Sequence, residues 1–444
     1  MRIIHWFRRD LRLIDNPALT WAARHASALT LVYIHVPEEE APWQPGAASR
    51  WWLDGSLRAL EADLARQGQR LIIRRGPSHE ALEALIHETG AEAVSWNRLY
   101  EPALIARDSQ IKATLRKTGI TAHSANAQLL CEPWTISTHS ETPYRVFTPF
   151  WKAARRELQA QPVDSPPTWP PPDKSLDSQS LAQLGLHPGH AWADKLAACW
   201  QPGEAAAQKR LSQFIDEALT RYPAARDLPA DPATSKLSPY LHFGEIGPRQ
   251  ILAELSDLPL EHRFITELGW REFAHHLLHH YPHTPSQEFN PRFAEFPWRD
   301  ADEAHADLAR WQRGETGIEL VDAGMRELWQ TGWMHNRVRM VVGSFLTKNL
   351  GIDWRCGARW FWDTLVDASL ANNTLGWQWI AGCGADAAPY FRIFNPDSQA
   401  EKFDPRGEYR QRWLQPPPRP APMVDLKASR ARALETYGRI KCDS

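Results

Sequence analysis

The opening stretch MRIIHWFRRDLRLIDNPALTWAARHASALTLVYIHV, residues 1–36, decides how the amino-terminal third folds. Two short apolar runs, IIHWF (3–7) and LTLVYIHV (29–36), flank an amphipathic segment, the alternation expected of strand, covering helix and strand. The pattern continues outward. WWLDGSLRALEADLARQG (51–68) has helical periodicity, and RLIIRRG (70–76) and AEAVSWNRLY (91–100) are further apolar runs of strand length. Strands alternating with helices imply a parallel sheet. After the first strand stands HWFRRDLRL (5–13), where the usual dinucleotide fingerprint would need G-x-G-x-x-G. Whatever this domain binds, it binds differently.

The tract QPVDSPPTWPPPDK (161–174) is too rich in proline for a helix and favours an extended connector. We place an α/β domain at 1–130, an inter-domain linker at 131–202 and an all-helical domain at 203–444. In that last region strand-like runs vanish. Apolar residues recur at helical spacing in AAQKRLSQFIDEALTRY (206–222), EHRFITELGWREFAHHLLHHY (261–281), the stretch 319–350 and RCGARWFWDTLVDASLANN (355–373).

A chain of 444 residues can hold two or three domains with ample core, so no disulfide or metal staple is required. Its 51 Lys and Arg against 53 Asp and Glu leave a formal charge of −2, which excludes a uniformly basic nucleic-acid wrapper. Any positive face must be local. Cys131, Cys199, Cys356, Cys383 and Cys442 form no C-x-x-C pair, so a reducing, cytoplasmic setting is expected. The charged start MRIIHWFRRD does not resemble a signal peptide, and no apolar run approaches the ~18 residues of a membrane span. The composition holds 22 Trp against 9 Tyr, an inverted ratio that directs attention to flat aromatic ligands and electron transfer.

In ATSKLSPYLHFGEIGPRQ (233–250), Thr234, Ser235 and Ser238 stand where Pro239 opens a helix. Hydroxyls and free backbone N–H groups there suit a diphosphate, and the same residues also serve as a plain N-cap. Along the next predicted helix Glu267, Trp270, Arg271 and Ala274 lie at i, i+3, i+4 and i+7, on one face. A carboxyl, an indole and a guanidinium make a poor core stripe but a plausible wall for a flat ligand with polar edges. Asn336 and Met340 are likewise four apart, with Arg339 beside them. Trp377 and Trp379 lie about 200° apart around a helix, so one can face a cofactor while the other faces elsewhere. His275, His276, His279 and His280 contain i,i+4 pairs, but no carboxylate or cysteine follows at ligand spacing. No metal is expected, and these histidines read as a solvated or DNA-facing helix edge.

Together these segments resemble the photolyase/cryptochrome family of blue-light flavoproteins, and most closely its members that split cyclobutane pyrimidine dimers. The resemblance is carried by HWFRRDLRLIDNPAL (5–19), TSKLSPYLHFGEIGPRQ (234–250), ELGWREF (267–273), VDAGMRELWQTGWMHNRVRM (321–340), FLTKNLGIDWR (345–355) and NNTLGWQWIAGCGADAAPYFRIFNP (372–396). It implies a Rossmann-like α/β domain carrying a light-harvesting pigment, then a helical domain holding FAD in a folded conformation. The family's FAD contacts fall on Tyr222, Thr234, Ser235, Lys236, Leu237, Ser238, Arg339, Asp367 and Ser369. At Ser369 many members carry a second Asp, so Asp367 bears that role alone. Asn373 matches the asparagine facing flavin N5. Trp377, Trp354 and Trp298 match the tryptophan chain that passes electrons to the flavin.

By the same resemblance Trp270 and Trp379 form an apolar corner of the substrate cavity. Met340 is a polarisable contact there, and Glu267 and Asn336 meet polar edges, Glu267 as an acid bonded to a pyrimidine carbonyl. Arg226, Arg271, Arg337 and Gln399 fall among the DNA- and substrate-binding positions. Ala103 and Leu104 replace an Asn-Glu pair that holds methenyltetrahydrofolate in one subgroup, while SRWWLDGSL (49–57) resembles plant cryptochromes and related bacterial photolyases. A folate held in another way is therefore favoured over a deazaflavin. The expected protein is a monomeric enzyme that repairs dimer-containing DNA by light-driven electron transfer from reduced FAD. The alternatives are a cryptochrome-like photoreceptor, against which the chain's end soon after RARALETYGRIKCDS counts, and a light-independent flavin oxidoreductase, against which the missing nicotinamide fingerprint counts.

Overall fold

The computed structural model describes residues 1–158, 163, 168–172, 176–189, 191–387, 391–414 and 420–442. Five parallel strands, β1 (Arg2–Phe7), β2 (Ala28–His35), β3 (Leu71–Arg75), β4 (Ala93–Asn97) and β5 (Thr121–Ala125), lie in the order β3-β2-β1-β4-β5. The helices Pro17–His25, Ala47–Arg66, Ser78–Thr89 and Pro102–Lys117 separate them in sequence. Four strands coincide with the apolar runs. The fifth, TAHSA, is a half-exposed edge strand and carries no apolar signal to read.

Strand alternation divides this sheet between two cores. Ile4, Trp6, Val32, Ile72, Val94 and Trp96 face a local core with Leu82, Leu85 and Ile111. The alternate residues Ile3, Phe7, Leu29, Leu31 and Ile73 belong to a larger core that continues through Trp52, Phe147, Trp151, Tyr240 and Phe243. The α/β and helical parts thus share one interior.

The turn after β1 is an ionic knot. Arg8 donates to Asp108 at 2.7 Å and to the Asn97 carbonyl, while Asn97 bonds Asp10 and Asn16. Arg12, fully buried, donates to the carbonyls of Ile14, Asp15, Ala127 and Gly244 and so stitches the turn to the helical part. Arginines with fixed acceptors stand where other parallel-sheet domains place glycines for a phosphate.

The region 131–202 contains the helices Phe147–Glu157 and Ala191–Cys199. Most of the proline tract 161–174 lies outside the described residues; Pro172 bridges Leu29 beside the sheet. Further on, the helix Arg263–His280 packs between Phe147–Glu157 and Leu370–Ala381. Its histidines do not form a solvated or DNA-facing edge. His275 and His276 are buried, His275 bonds the Arg271 carbonyl, and His276 and His280 both bond the Pro133 carbonyl. His276 and His280 thus find a backbone acceptor at the seam with the preceding segment and His275 one within its own helix, which relieves burial of a polar group, while half-buried His279 lies against the Trp134 ring. Among the described residues no helix is long and apolar enough to cross a membrane.

Candidate cofactor and substrate cavity

A cavity of about 600 Å³ opens among the helices, within the range that accommodates cofactors and other sizeable ligands. On one wall the turn Thr234–Ser238 presents all five residues to the cavity, with Lys236 at a φ of 53°, a conformation that reverses the chain. The helix it precedes, Ser238–Phe243, has only six residues and no side-chain cap. Ser238 Oγ instead donates to Asp367 Oδ2 at 2.6 Å, so the N-cap reading fails and the hydroxyl serves the site. Arg339 Nη2 reaches both oxygens of the same carboxylate, at 2.9 and 3.2 Å, and its Nε donates to the Met334 carbonyl at 2.7 Å. Ser238, Asp367 and Arg339 form a fixed polar unit. The Lys236 ammonium lies 5.2 Å from the Trp333 ring, and burial lowers its pKa.

Asn373, Ser369 and Trp377 line the cavity from the helix Leu370–Ala381 and its start. Asn373 Nδ2 donates to the Ala358 carbonyl at 3.0 Å, so the donor end of the amide is anchored to backbone. Tyr222, half enclosed by Phe214 and Phe264, stands on the same cavity. These residues fit a flavin dinucleotide in kind: hydroxyls, backbone and a lysine for a diphosphate, with an Arg–Asp pair and an amide for a ring edge.

The opposite wall holds Glu267, Trp270, Arg271, Asn336, Arg337, Met340 and Trp379. Trp270 is stacked on Phe147 with ring centroids 3.8 Å apart and planes within 9°, a rigid flat face. Glu267 pairs with Arg226, and that bond raises the Arg226 pKa against the opposing effect of burial. The pair fixes the Glu267 carboxyl group on the cavity wall. Arg271 turns partly toward the seam, donating to the Gln128 carbonyl at 2.7 Å and to Glu272. Trp377 and Trp379 both reach the cavity; Trp377 is almost fully buried, while Trp379 lies under the Arg392 guanidinium.

Trp354, Trp298 and Gln399 are not part of the lining. Trp354 is fully buried beneath the Arg355 guanidinium. Trp298 is half-buried against Phe296, with ring centroids 4.1 Å apart. Gln399 lies on the helix Pro396–Phe403, whose Phe403 ring packs against Arg337.

Sequence reasoning missed one whole wall. Arg9, Glu101 and Gln128 of the α/β part line the cavity together with His242 and His275. Arg9 bridges Glu40 and Glu101, and burial beside Arg9 and Arg271 drives the pKa values of both histidines down, that of His275 to about 4. Only the odd arginine-rich turn after β1 hinted at this. Behind the site, Glu327 accepts from Tyr409 Oη at 2.6 Å and from the His335 N–H at 3.2 Å, while the His335 ring caps the helix carrying Asn336, Arg339 and Met340. Burial pushes Glu327 up to about 7.

Comparison with known proteins bears on this arrangement. Residues 3–172 match the family model described as DNA photolyase, and residues 264–417 match the FAD binding domain of DNA photolyase. A deoxyribodipyrimidine photo-lyase of Agrobacterium fabrum is 43% identical, covering 99% of this chain and 98% of its own length. Cryptochrome-2 of Arabidopsis thaliana is 38% identical over 93% of this chain and 70% of its own. Among solved structures, a bacterial class III photolyase from Agrobacterium tumefaciens superposes with a TM-score of 0.92 at 43% identity, covering 99% of this chain and 98% of that one. An archaeal photolyase from Sulfolobus tokodaii with two FAD molecules gives 0.84 at 28% identity, over 99% and 100%. With fold, FAD-type cavity and full-length similarity in agreement, this chain belongs to the DNA photolyase family.

Proposed function

We propose that the protein repairs cyclobutane pyrimidine dimers in DNA. One observation supports this reading above the others: the flat Trp270 face, Glu267, Asn336 and Met340 share a single cavity with the Arg339–Asp367 unit and the Thr234–Ser238 turn. Bound there by Tyr222, the Thr234–Ser238 turn, Arg339, Asp367, Ser369 and Asn373, reduced FAD supplies light-driven one-electron chemistry. Everything else falls to the chain. A damaged dipyrimidine stacks and pairs poorly, so extruding it from the duplex costs little, and photolyases are among the enzymes known to take their target out of the stack. Trp270 and Trp379 then replace lost base stacking, Glu267 and Asn336 hold polar ring edges, and Arg226, Arg337 and Gln399 stand near the backbone. In a site closed to water, polar groups already aimed at a developing charge stabilise it without reorganising.

Cyclobutane dimers are favoured over (6-4) photoproducts because the latter need proton transfer between bases, and Asn336 and Met340 cannot supply it. His335, adjacent in sequence, is buried with its ring committed to a helix cap, and burial lowers its pKa to about 4.

For a second pigment, methenyltetrahydrofolate is favoured over a deazaflavin. The crevice at the carboxyl ends of β1 and β2 measures about 60 Å³ and is lined by Trp6, which meets the Arg8 and Arg107 guanidinium groups, and by Leu104. In the cryptochrome-like stretch Trp51 and Trp52 are core residues, while Ser49 and Leu53 line this same crevice.

Illumination of the reduced holoenzyme with oligonucleotides carrying each lesion tests the reading. Light-dependent dimer splitting is expected. The 38% identity to plant cryptochromes favours photoreception as the second reading, and tight FAD binding without splitting of either lesion would decide for it.

A further inference from the structure

Four charged side chains from three segments run in a line along the rim of the cavity. Glu267 of the helix Arg263–His280 is paired with Arg226, which follows the short turn Tyr222–Ala225. Asp227 lies 3.9 Å from Arg226 Nε and forms an ion pair with Arg337 Nη2 at 2.9 Å. The arginine side chains are only 10% and 19% exposed, and each keeps a buried Nε–H without an acceptor. Both guanidinium groups are therefore tied to carboxylates of the chain while retaining a donor to spare.

We propose that Asp227 and Glu267 form an internal brake on the two rim arginines, and that Asp227 is a specificity-determining residue for lesion over undamaged DNA. This rests on the DNA-repair reading above. Any duplex offers phosphates that compete for Arg226 and Arg337. Drawing Arg226 outward, however, strips Glu267 of its partner, and a half-enclosed carboxylate left unpaired is costly. An undamaged duplex returns nothing for that loss. An extruded pyrimidine presents an imide N–H in the same cavity, and the Glu267 carboxylate accepts it. The phosphate grip and base occupancy are thereby coupled: Arg226 is released to the backbone where a ring replaces it at Glu267. Asp227 sets the strength of the coupling, because it holds Arg337 directly and draws Arg226 back toward the rim.

The test is dark binding of the FAD-loaded holoenzyme to undamaged and dimer-containing duplexes across a salt series, for wild type, Asp227→Asn, Asp227→Ser and Asp227→Glu. Removing the charge should tighten binding to undamaged duplex about threefold and steepen the slope of log K against log salt by about one, as one more arginine is freed for phosphate. The lesion preference should fall by a similar factor, and Asp227→Glu should restore it. Two neutral variants guard against one that fails to fold, with retained FAD absorbance as the control. A wild type that prefers lesions, with neutral variants of unchanged slope and preference, would overturn the brake alone. A wild type with neither lesion preference nor light-driven splitting would overturn the repair reading and the brake with it.

Discussion

Trp377 is the residue whose two surroundings differ most. One side of it lines the cofactor cavity, and its ring also meets Phe361 edge-on at 4.9 Å and Trp311 at 6.3 Å. An indole so placed is suited to pass an electron inward, and phenylalanine keeps the packing without the easily oxidised ring. Trp377→Phe is expected to slow photoreduction of bound FAD by at least about tenfold, an increase of roughly 1.4 kcal/mol in the effective barrier. Dimer splitting by chemically reduced enzyme should persist. The check is the decay of the blue absorption band under illumination; an unchanged rate would show that electrons enter by another path. At this scale the sequence was informative where a residue sits in a long family motif, as Asn373 and Ser238 do. It was silent on Glu327 and Asp227, because a carboxylate on a predicted helix or turn reads as solvated until its neighbours are known.

At the scale of elements, the helices Trp354–Thr364 and Leu370–Ala381 approach closely enough that Gly357 lies against the Trp377 ring. A Cβ there would stand 2.1 Å from Trp377 Cη2, inside any allowed contact. Gly357→Ala should cost about 1–3 kcal/mol through overpacking and lower Tm by several degrees. It should also displace Trp377, so photoreduction slows alongside stability; a wild-type Tm would refute this account of the packing. Helical periodicity marked 355–373 as one stretch, whereas the chain breaks into two helices between Thr364 and Leu370 and the second runs on to Ala381. Their separation was not legible, because it depends on which side chain faces a glycine across a gap of many residues. β5 shows the complementary failure: TAHSA owes its strand conformation to pairing with β4, not to its own residues.

At the scale of the whole molecule, the two parts are joined through buried polar groups as much as through apolar surface. Glu245, fully buried, accepts from Trp52 Nε1 at 2.9 Å, from Ser56 Oγ at 2.6 Å and from the Gly203 N–H at 2.5 Å, with no cation among these partners. Burial pushes its pKa up to about 8. The folded state therefore holds this proton more tightly than the unfolded chain, and stability falls as pH rises from about 4.5 to about 8. Glu245→Gln removes the titration, so the Tm of wild type minus that of the variant should fall by on the order of several degrees across this window. A difference that stays constant with pH would show that Glu245 is ionised throughout. The existence of two parts was legible from the change in hydrophobic period, but their seam was not, since its residues lie hundreds of positions apart. The wall built by Arg9, Glu101 and Gln128 carries this further. Cutting the chain at its proline-rich connector would not separate an accessory module from a self-sufficient engine, because part of the vessel leaves with the accessory. In a chimera assembled from two relatives, the crossover that preserves function must keep the arginine-rich turn and the helical half from the same parent; recombined elsewhere, both halves can fold and still leak.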